Sequence, residues 1–148
     1  MDIQPAKPLS FDLLSPLLKE SVEEGYDFIQ SLWDEYKSGK TTFNGQGETL
    51  LSISEENQLI AIGGVHKDPY LQSPTSGRIR HVYVRQAYRR NGAGKQLVEA
   101  LVEYASHEFS VITLRTLTEH GQSFYKSLGF SDSPRFKNAT HWLEIKIL

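Results

Sequence analysis

The sequence predicts a mixed α/β fold in which helices pack on a single sheet. Two helical patterns come first, followed by strand-like runs at residues 48–54 and 58–66 on either side of a polar turn. A third strand, a loop with two glycines and a long helix follow, and the chain ends with strand, short helix and strand. The order is therefore ααββ, then β-loop-α, then β-α-β, which is typical of a mixed sheet covered by helices.

The helices are predicted from apolar side chains at helical spacing and from their end signals. Ser15-Pro16 is a candidate helix start, because a capping hydroxyl followed by proline is favoured there. A second helix covers residues 23–37 and ends at Gly39, a long helix covers about 92–107, and a short one covers 122–128 before Gly129. Two of these helices carry clear apolar stripes, made of Phe28, Ile29, Leu32, Trp33 and Tyr36 and of Leu97, Val98, Leu101, Val102 and Ala105.

Three more strands are predicted after the hairpin, at residues 78–84, 111–117 and 141–148. Residues 40–47 carry Thr, Asn and Gly, and residues 68–77 carry two prolines, two serines and a glycine. Such clusters are typical of connections between regular elements. They are therefore expected to be loops.

Composition excludes several classes of function. The chain has 148 residues, which suits a single domain spanning 1–148. A formal net charge of −2 gives no global attraction to nucleic acid or to anionic membranes. There is no cysteine, and the five histidines lack ligand spacing, so neither disulfides nor a metal site are expected. No signal-like or membrane-spanning run is evident, so we expect a cytoplasmic protein.

The loop between the third strand and the long helix is a candidate anion site. Glycines let the backbone approach a ligand, and the first amides of a helix lack intrahelical partners. The helix dipole and the basic side chains add positive charge. A pyrophosphate group is the expected guest of this segment, Arg89-Arg90-Asn91-Gly92-Ala93-Gly94-Lys95.

Two common phosphate motifs do not fit this loop. A P-loop requires glycine at the position of Arg89 and a hydroxyl residue at the position of Gln96. A dinucleotide fingerprint requires glycine or alanine at the position of Leu97. The remaining pattern is Arg-x-x-Gly-x-Gly after a strand. In this the chain resembles the Gcn5-related N-acetyltransferase (GNAT) family, in which that motif wraps the pyrophosphate of acetyl-CoA.

The resemblance extends to the segment Phe124-Tyr125-Lys126-Ser127-Leu128-Gly129-Phe130. In the family, a similar segment packs beside the cofactor thioester, which implies that Tyr125 lies near the sulfur. A phenol stays protonated at neutral pH and can protonate a leaving thiolate. Core packing alone is the alternative role of this tyrosine.

The resemblance also implies a mostly antiparallel sheet with a splayed central strand pair that admits the pantetheine arm. Strand 78–84 and the neighbouring strand near 111–117 form that pair. The implied cofactor contacts are the Val82 amide on the thioester carbonyl, and Tyr83 and Val84 along the arm. Thr118 stands where the family often has asparagine, and its hydroxyl is the candidate replacement.

The acceptor side is less defined by the sequence. Arg78, Arg80 and His81 are candidate acceptor-binding residues, and the two arginines could instead pair with acidic side chains. Trp33, Tyr36 and Tyr70 could wall an acceptor pocket, although core packing is the favoured role of Trp33 and Tyr36 on their apolar stripe. No general base is singled out among seven candidates, His81, Glu48, His66, Asp68, Glu119, His120 and His141.

The resemblance implies transfer of acetyl from acetyl-CoA to a primary amine of a small molecule or peptide. The absence of cysteine favours direct attack in a ternary complex, because the usual covalent carrier is missing. A non-catalytic acyl-CoA-binding or sensing module on the same fold is the alternative, and a plain interaction domain is a third. Open strand edges make a homodimer a further expectation.

Overall fold

The computed structural model describes residues 2–145, in which a six-stranded sheet has helices on both faces. A 3₁₀ turn, Gln86–Tyr88, follows the fourth strand. The elements are β1 (Ile3–Pro5), α1 (Phe11–Glu23), α2 (Phe28–Ser38), β2 (Thr49–Glu55), β3 (Gln58–Lys67), β4 (Ser76–Val84), α3 (Ala93–Ala105), β5 (Val111–Leu114), α4 (Glu119–Ser127) and β6 (His141–Glu144).

The strands lie in the sheet in the order in which they occur in the chain. Every neighbouring pair is antiparallel except β4 and β5, which are parallel. The pairing of β4 with β5 stops at Arg78 and Thr113, although β4 continues to Val84. The predicted mixed, mostly antiparallel sheet is confirmed, and residues 79–84 of β4 run on without a ladder partner in β5.

A bulge in β4 lies within this unpaired part. Ile62 pairs with Tyr83 and Gly64 with Arg80, so two residues of β4 stand opposite Gly63. His81 takes up the extra length with a left-handed φ of 63°. A bulge redirects side chains and increases strand twist. Here it lets two consecutive side chains, Arg80 and His81, both reach α2.

Each face of the sheet has its own hydrophobic cluster. Helix α3 and the end of α4 pack on one face, where Leu97, Leu101 and Tyr125 are buried with strand residues such as Ile79 and Ile112. Helices α1 and α2 pack on the other face. Its buried members are Leu9, Leu14, Leu17, Ile29, Leu32, Phe43, Leu50, Leu59, Ile62 and Tyr83.

The start of α1 differs from the prediction. The helix begins at Phe11, capped by Ser10, and Pro16 lies inside it. Proline lacks the amide that an interior position uses, so the sequence rule favoured a start at Ser15-Pro16. Burial of Leu14 and Leu17, both 0% exposed, outweighs that loss.

The predicted helix at 23–37 is shorter than expected at its start. Gly25, with φ of 89°, separates α1 from α2, which begins at Phe28 and ends at Ser38 before Gly39. Strand β5 ends at Leu114 rather than 117, and α4 begins at Glu119 rather than 122. Strand β1 was not predicted. The predicted strand at 141–148 is described to Glu144, and residues 146–148 lie outside the described part.

Candidate active site

The loop before α3 leaves the start of that helix open. Gly92 is the N-cap residue, with φ of 89°, and it has no side chain with which to cap the helix. The first helical hydrogen bond runs from the Gln96 amide to the Gly92 carbonyl, 3.0 Å. The amides of Ala93, Gly94 and Lys95 therefore precede the helical ladder, as the open N-terminus of a helix requires. Such a terminus attracts an anion.

The predicted cationic residues of the loop have different partners. The Arg89 guanidinium forms a fork with Glu24, the C-cap residue of α1, with N···O distances of 2.9 and 2.6 Å. Its Nε donates to the Val84 carbonyl at 2.8 Å. The Glu24 hydrogen bonds raise the pKa of Arg89, although burial acts in the opposite direction. Arg90, Asn91 and Lys95 are exposed. Arg89 therefore fixes the loop, and Arg90 and Lys95 are the cations that face solvent.

Two acidic residues, Glu20 in α1 and Glu24 at its C-cap, hold the end of β4, which the sequence did not indicate. The Tyr83 hydroxyl lies between the carboxylates of Glu20 and Glu24, 2.9 Å from Glu20 Oε1. Burial and these carboxylates raise the pKa of Tyr83. Glu20 also accepts from the Arg85 side chain and the Gln86 amide. Tyr83 is thus oriented toward α1, on the face opposite to α3.

Helix α4 contacts the loop through Phe124. A Cβ atom at Gly94 would come within 3.2 Å of the Phe124 ring and 3.6 Å of a Val84 methyl group. Gly94 therefore allows three elements to approach closely: the end of β4, the start of α3 and helix α4. The open helix terminus and the unpaired end of β4 consequently lie side by side.

Tyr125 follows Phe124 and is almost fully buried, with 8% of its surface exposed. Its ring packs edge-on against Phe124 and Phe130, at centroid distances of 5.0 and 5.5 Å. Burial raises its pKa, so the phenol stays protonated. Within residues 2–145 no hydrogen bond engages its hydroxyl, which leaves that proton available to a ligand.

The Thr118 hydroxyl caps α4. It accepts a hydrogen bond from the Gly121 amide at 3.0 Å. A Cβ atom at Gly121 would clash with Thr116 Oγ1 and lie 3.0 Å from Thr118 Oγ1. The two threonine hydroxyls therefore crowd this turn, which favours glycine at position 121. The predicted pantetheine contact of Thr118 would share a hydroxyl that already has a structural role.

Arg78, at the end of the β4–β5 ladder, lies in a buried polar cluster. Its Nη2 donates to the Asn138 carbonyl at 2.9 Å, and its Nη1 is 3.9 Å from Asp68 Oδ2. The ring of Tyr70 covers the guanidinium at 4.8 Å. Asp68 also accepts from the Thr113 hydroxyl and the Tyr70 amide. These bonds favour a structural role for Asp68 over that of a general base.

Arg80 and His81 both contact α2. Arg80 forms a two-pronged pair with Glu35, 3.1 and 3.0 Å. Burial raises the pKa of Glu35, but the hydrogen bonds and charge of Arg80 outweigh it and hold the pKa below its usual value. His81 Nδ1 donates to the Phe28 carbonyl at 2.9 Å, which leaves the lone pair on Nε2. Burial, assisted by Arg80, lowers the pKa of His81 to about 3.

A cavity of about 480 Å³ opens on the α1–α2 side of the sheet, next to Arg80. The residues that line it include Glu48 and His66, which the sequence analysis named among the candidate bases. They also include Tyr70, a candidate wall residue of the acceptor pocket. His66 Nδ1 donates to the Lys67 carbonyl at 2.7 Å. Burial lowers the pKa of His66, so the ring is neutral and its lone pair is on Nε2.

The other base candidates lie elsewhere. His141, on β6, has its Nδ1 2.9 Å from the Thr140 hydroxyl, and it is separated from β4 by β5. Glu119 and His120 are exposed at the start of α4. Among residues 2–145 there is no group of three or more His, Cys, Asp or Glu side chains placed to hold a metal ion. In the same part of the chain, no helix has the length and apolar character needed to cross a membrane.

Comparisons with known proteins agree with this geometry. Residues 11–130 match the family model described as "Acetyltransferase (GNAT) family". A crystal structure of a proposed acetyltransferase from Exiguobacterium sp. 255-15 shares 31% identity over 97% of this chain and 94% of that one, with a TM-score of 0.81. No curated protein sequence matches the chain.

Two more distant structures share the fold. A GNAT-family acetyltransferase from Staphylococcus aureus Mu50 has 16% identity and a TM-score of 0.76, covering 98% of this chain and 99% of that one. Glucosamine-6-phosphate N-acetyltransferase from Arabidopsis thaliana has 21% identity and a TM-score of 0.59, covering 93% and 95%. The family match over residues 11–130 and the relative that is 31% identical over 97% of the chain show that the chain belongs to the GNAT acetyltransferase family.

Proposed function

We propose that the protein, as a single domain, transfers the acetyl group of acetyl-CoA to a primary amine of a small molecule or peptide by direct attack in a ternary complex. The observation that carries this proposal is the side-by-side arrangement of the open α3 terminus and the unpaired part of β4. The first fits a pyrophosphate, and the second fits an extended arm that pairs with strand backbone.

The residues present fit such a cosubstrate. The amides of Ala93, Gly94 and Lys95 can donate to phosphate oxygens, with Arg90 and Lys95 adding charge from the exposed side. The backbone of residues 82–84 can pair with the arm. The Val84 carbonyl already accepts from Arg89, which leaves its second lone pair for that contact. When bound, acetyl-CoA supplies an acyl group that is activated as a thioester.

Tyr125 is the proposed general acid. As the C–N bond to the acceptor forms and the C–S bond breaks, the departing sulfur takes a proton from the Tyr125 hydroxyl. Burial keeps that proton in place at neutral pH. The attacking amine must itself be neutral, and its proton passes to solvent or to a base on the α1–α2 side. The Tyr125 phenolate then regains a proton from solvent. By the family resemblance, we propose that the Val82 amide polarises the acyl carbonyl.

The test is a steady-state assay of thiol release from acetyl-CoA with a panel of primary amines. Transfer by direct attack gives intersecting initial-rate lines, and the product amide appears by mass spectrometry without an acetylated protein. Parallel lines together with an acetylated side chain would instead show a covalent carrier. Tight CoA binding without transfer to any amine would favour a sensing module, and no CoA binding would favour an interaction domain.

A further inference from the structure

We propose that the cavity on the α1–α2 side is the acceptor site and that Glu48 selects acceptors with a second positive charge about 10 Å from the reacting amine. This inference rests on the proposed function. It concerns what the site accepts rather than whether the site transfers acetyl groups.

The position of the cavity relates it to the parted strands. One end is lined by Arg80, two residues beyond Arg78, where the β4–β5 ladder stops. Lys67, which also lines the cavity, pairs with Gly77, and its amide donates to Glu48. Three strand residues separate the Arg80 row from the Lys67 row, which is about 10 Å at roughly 3.4 Å per residue. A small flexible acceptor can span the cavity, whose volume of about 480 Å³ is typical of a small-molecule site.

The arginine of the cavity is already neutralised. Arg80 forms a two-pronged ion pair with Glu35, and the Thr41 hydroxyl also donates to Glu35 at 3.0 Å. The other arginine proposed from sequence, Arg78, belongs to the Asp68 cluster. Neither arginine presents a free guanidinium to an acceptor carboxylate or phosphate. The predicted anion-binding role of this pair is therefore not favoured by its contacts.

Glu48 differs from Glu35 because no cation neutralises it among residues 2–145. Its Oε1 accepts from the Gly45 amide at 3.0 Å and its Oε2 from the Lys67 amide at 2.8 Å. These two bonds hold the carboxylate in one orientation at the cavity wall. A fixed carboxylate without a counterion is suited to an ammonium group, because little side-chain freedom remains to be lost on binding.

The other wall groups add no fixed positive charge. His66 is buried and neutral, and its unpartnered Nε2 is an acceptor. Lys40 and Lys67 also line the cavity, but both side chains are exposed and their amines have no partner in the described part of the chain. Mobile, hydrated ammonium groups can turn away from a bound cation, whereas Glu48 is held in place. The fixed charge of the wall is therefore negative.

The experiment uses three acceptors of equal length, 1,6-diaminohexane, 6-amino-1-hexanol and 6-aminohexanoate, which differ only in the charge at the distal end. With the full chain and acetyl-CoA, we expect kcat/KM for the diamine to exceed that for the amino alcohol by about tenfold, the effect of one charge-assisted contact. The anionic acceptor should be the poorest of the three.

Variants of Glu48 test the assignment directly. Glu48→Gln should lower the ratio of kcat/KM for the diamine to kcat/KM for the amino alcohol by about tenfold, and Glu48→Asp should retain part of the preference. The neutral acceptor also reports on folding, because a misfolded variant would lose both activities. Glu55→Gln, an exposed acid at the far end of β2, is the matched control.

Calorimetry of 1,6-diaminohexane binding to the CoA-bound protein gives a readout that does not depend on turnover. Weaker binding to Glu48→Gln supports the site. Equal use of the three acceptors, or a preference for 6-aminohexanoate, overturns the role of Glu48 while leaving the acetyltransferase intact. If no amine is acetylated, the proposed function fails, and calorimetry still decides whether the cavity binds the diamine through Glu48.

Discussion

The two faces of the sheet differ in how their sites are built. On the α3–α4 face the candidate cosubstrate site consists of backbone: the amides at residues 93–95, the edge of β4 and two glycines. On the α1–α2 face the site consists of side chains, some of which are paired with one another, such as Arg80 with Glu35. The first kind of site leaves a local motif in the sequence. The second depends on which distant residues meet.

The faces are coupled through the end of β4. Glu24, at the end of α1 on one face, holds Arg89, whose Nε fixes the Val84 carbonyl. His81, in the bulge, donates to α2 from the same strand. The following experiments test how separate the two sites are, in order of decreasing expected effect.

The largest effect is expected when the open terminus of α3 is blocked. Gly92→Trp places a large side chain at a φ of 89° in front of the free amides. Loss of about three charge-assisted hydrogen bonds at roughly 1.5 kcal/mol each corresponds to a loss of CoA affinity of at least about 10³-fold. Isothermal calorimetry with CoA measures it. Gly39→Trp is the control, because Gly39 has φ of 82° and equally open surroundings at the end of α2. Unchanged affinity in Gly92→Trp would contradict the assignment of the loop.

Removal of the Tyr125 hydroxyl should affect turnover and not binding. Phenylalanine fits between Phe124 and Phe130, and the hydroxyl has no hydrogen bond within the described residues to lose. We expect Tyr125→Phe to lower kcat by about 10²-fold, the usual contribution of a general acid, with CoA affinity unchanged. Thiol release and calorimetry measure the two quantities. Tyr104→Phe, on the exposed side of α3, is the control. A kcat equal to the parent's would leave Tyr125 with a packing role only.

The protein should lose stability in mild acid because His81 is buried on the α1–α2 face. In the unfolded chain a histidine gains its proton below about pH 6.5. Buried His81 resists protonation until about pH 3. The unfolded state therefore binds more protons across this window, so stability is full above pH 6.5 and is lost as the pH falls below it. The loss attributable to His81 is about 2 kcal/mol at pH 5.

Urea unfolding at pH 7 and pH 5 measures this loss. His81→Asn, a residue that tolerates the left-handed φ of 63°, should flatten the pH dependence. His107→Asn, at an exposed position, should not. Three carboxylates also have a lowered pKa in the folded protein: Glu20, Glu24 and Glu35. They lower the stability only in more acidic solution, where these side chains become protonated in the unfolded chain. An unaltered slope in His81→Asn would show that another group causes the loss.

The smallest effect is expected from the ion pair between α2 and β4. Arg80→Met keeps the packing of the stem and removes the fork to Glu35. Because both side chains are partly exposed, the expected loss of stability is about 1 kcal/mol. CoA affinity should stay within about twofold, since Arg80 is on the α1–α2 face. Urea unfolding and calorimetry measure both, and a large loss of CoA affinity would show that the faces are not independent.

The elements that depend on residues close together in the chain were predicted correctly, and those that depend on distant contacts were not. The long helix and the loop before it depend on neighbours within a few residues, and the structure has α3 at Ala93–Ala105 after Gly92. The start of α1 was wrong because Pro16 is tolerated only through burial of Leu14 and Leu17 against distant strands. Strand β1 was not predicted because three residues, Ile3–Pro5, have too few side chains to show a period.

The sequence by itself determined that a glycine-rich strand-to-helix turn with the GNAT pattern is present, because such a site is made of consecutive backbone groups. The sequence also indicated Tyr125 as a candidate general acid, and it contains no cysteine that could carry the acetyl group. Only the tertiary structure decided that Arg89 pairs with Glu24 and Arg80 with Glu35, and that no cation of residues 2–145 forms an ion pair with Glu48. The reason is physical: a charged side chain is neutralised by whichever partner the fold brings within about 4 Å, and that partner lies tens of residues away in the chain.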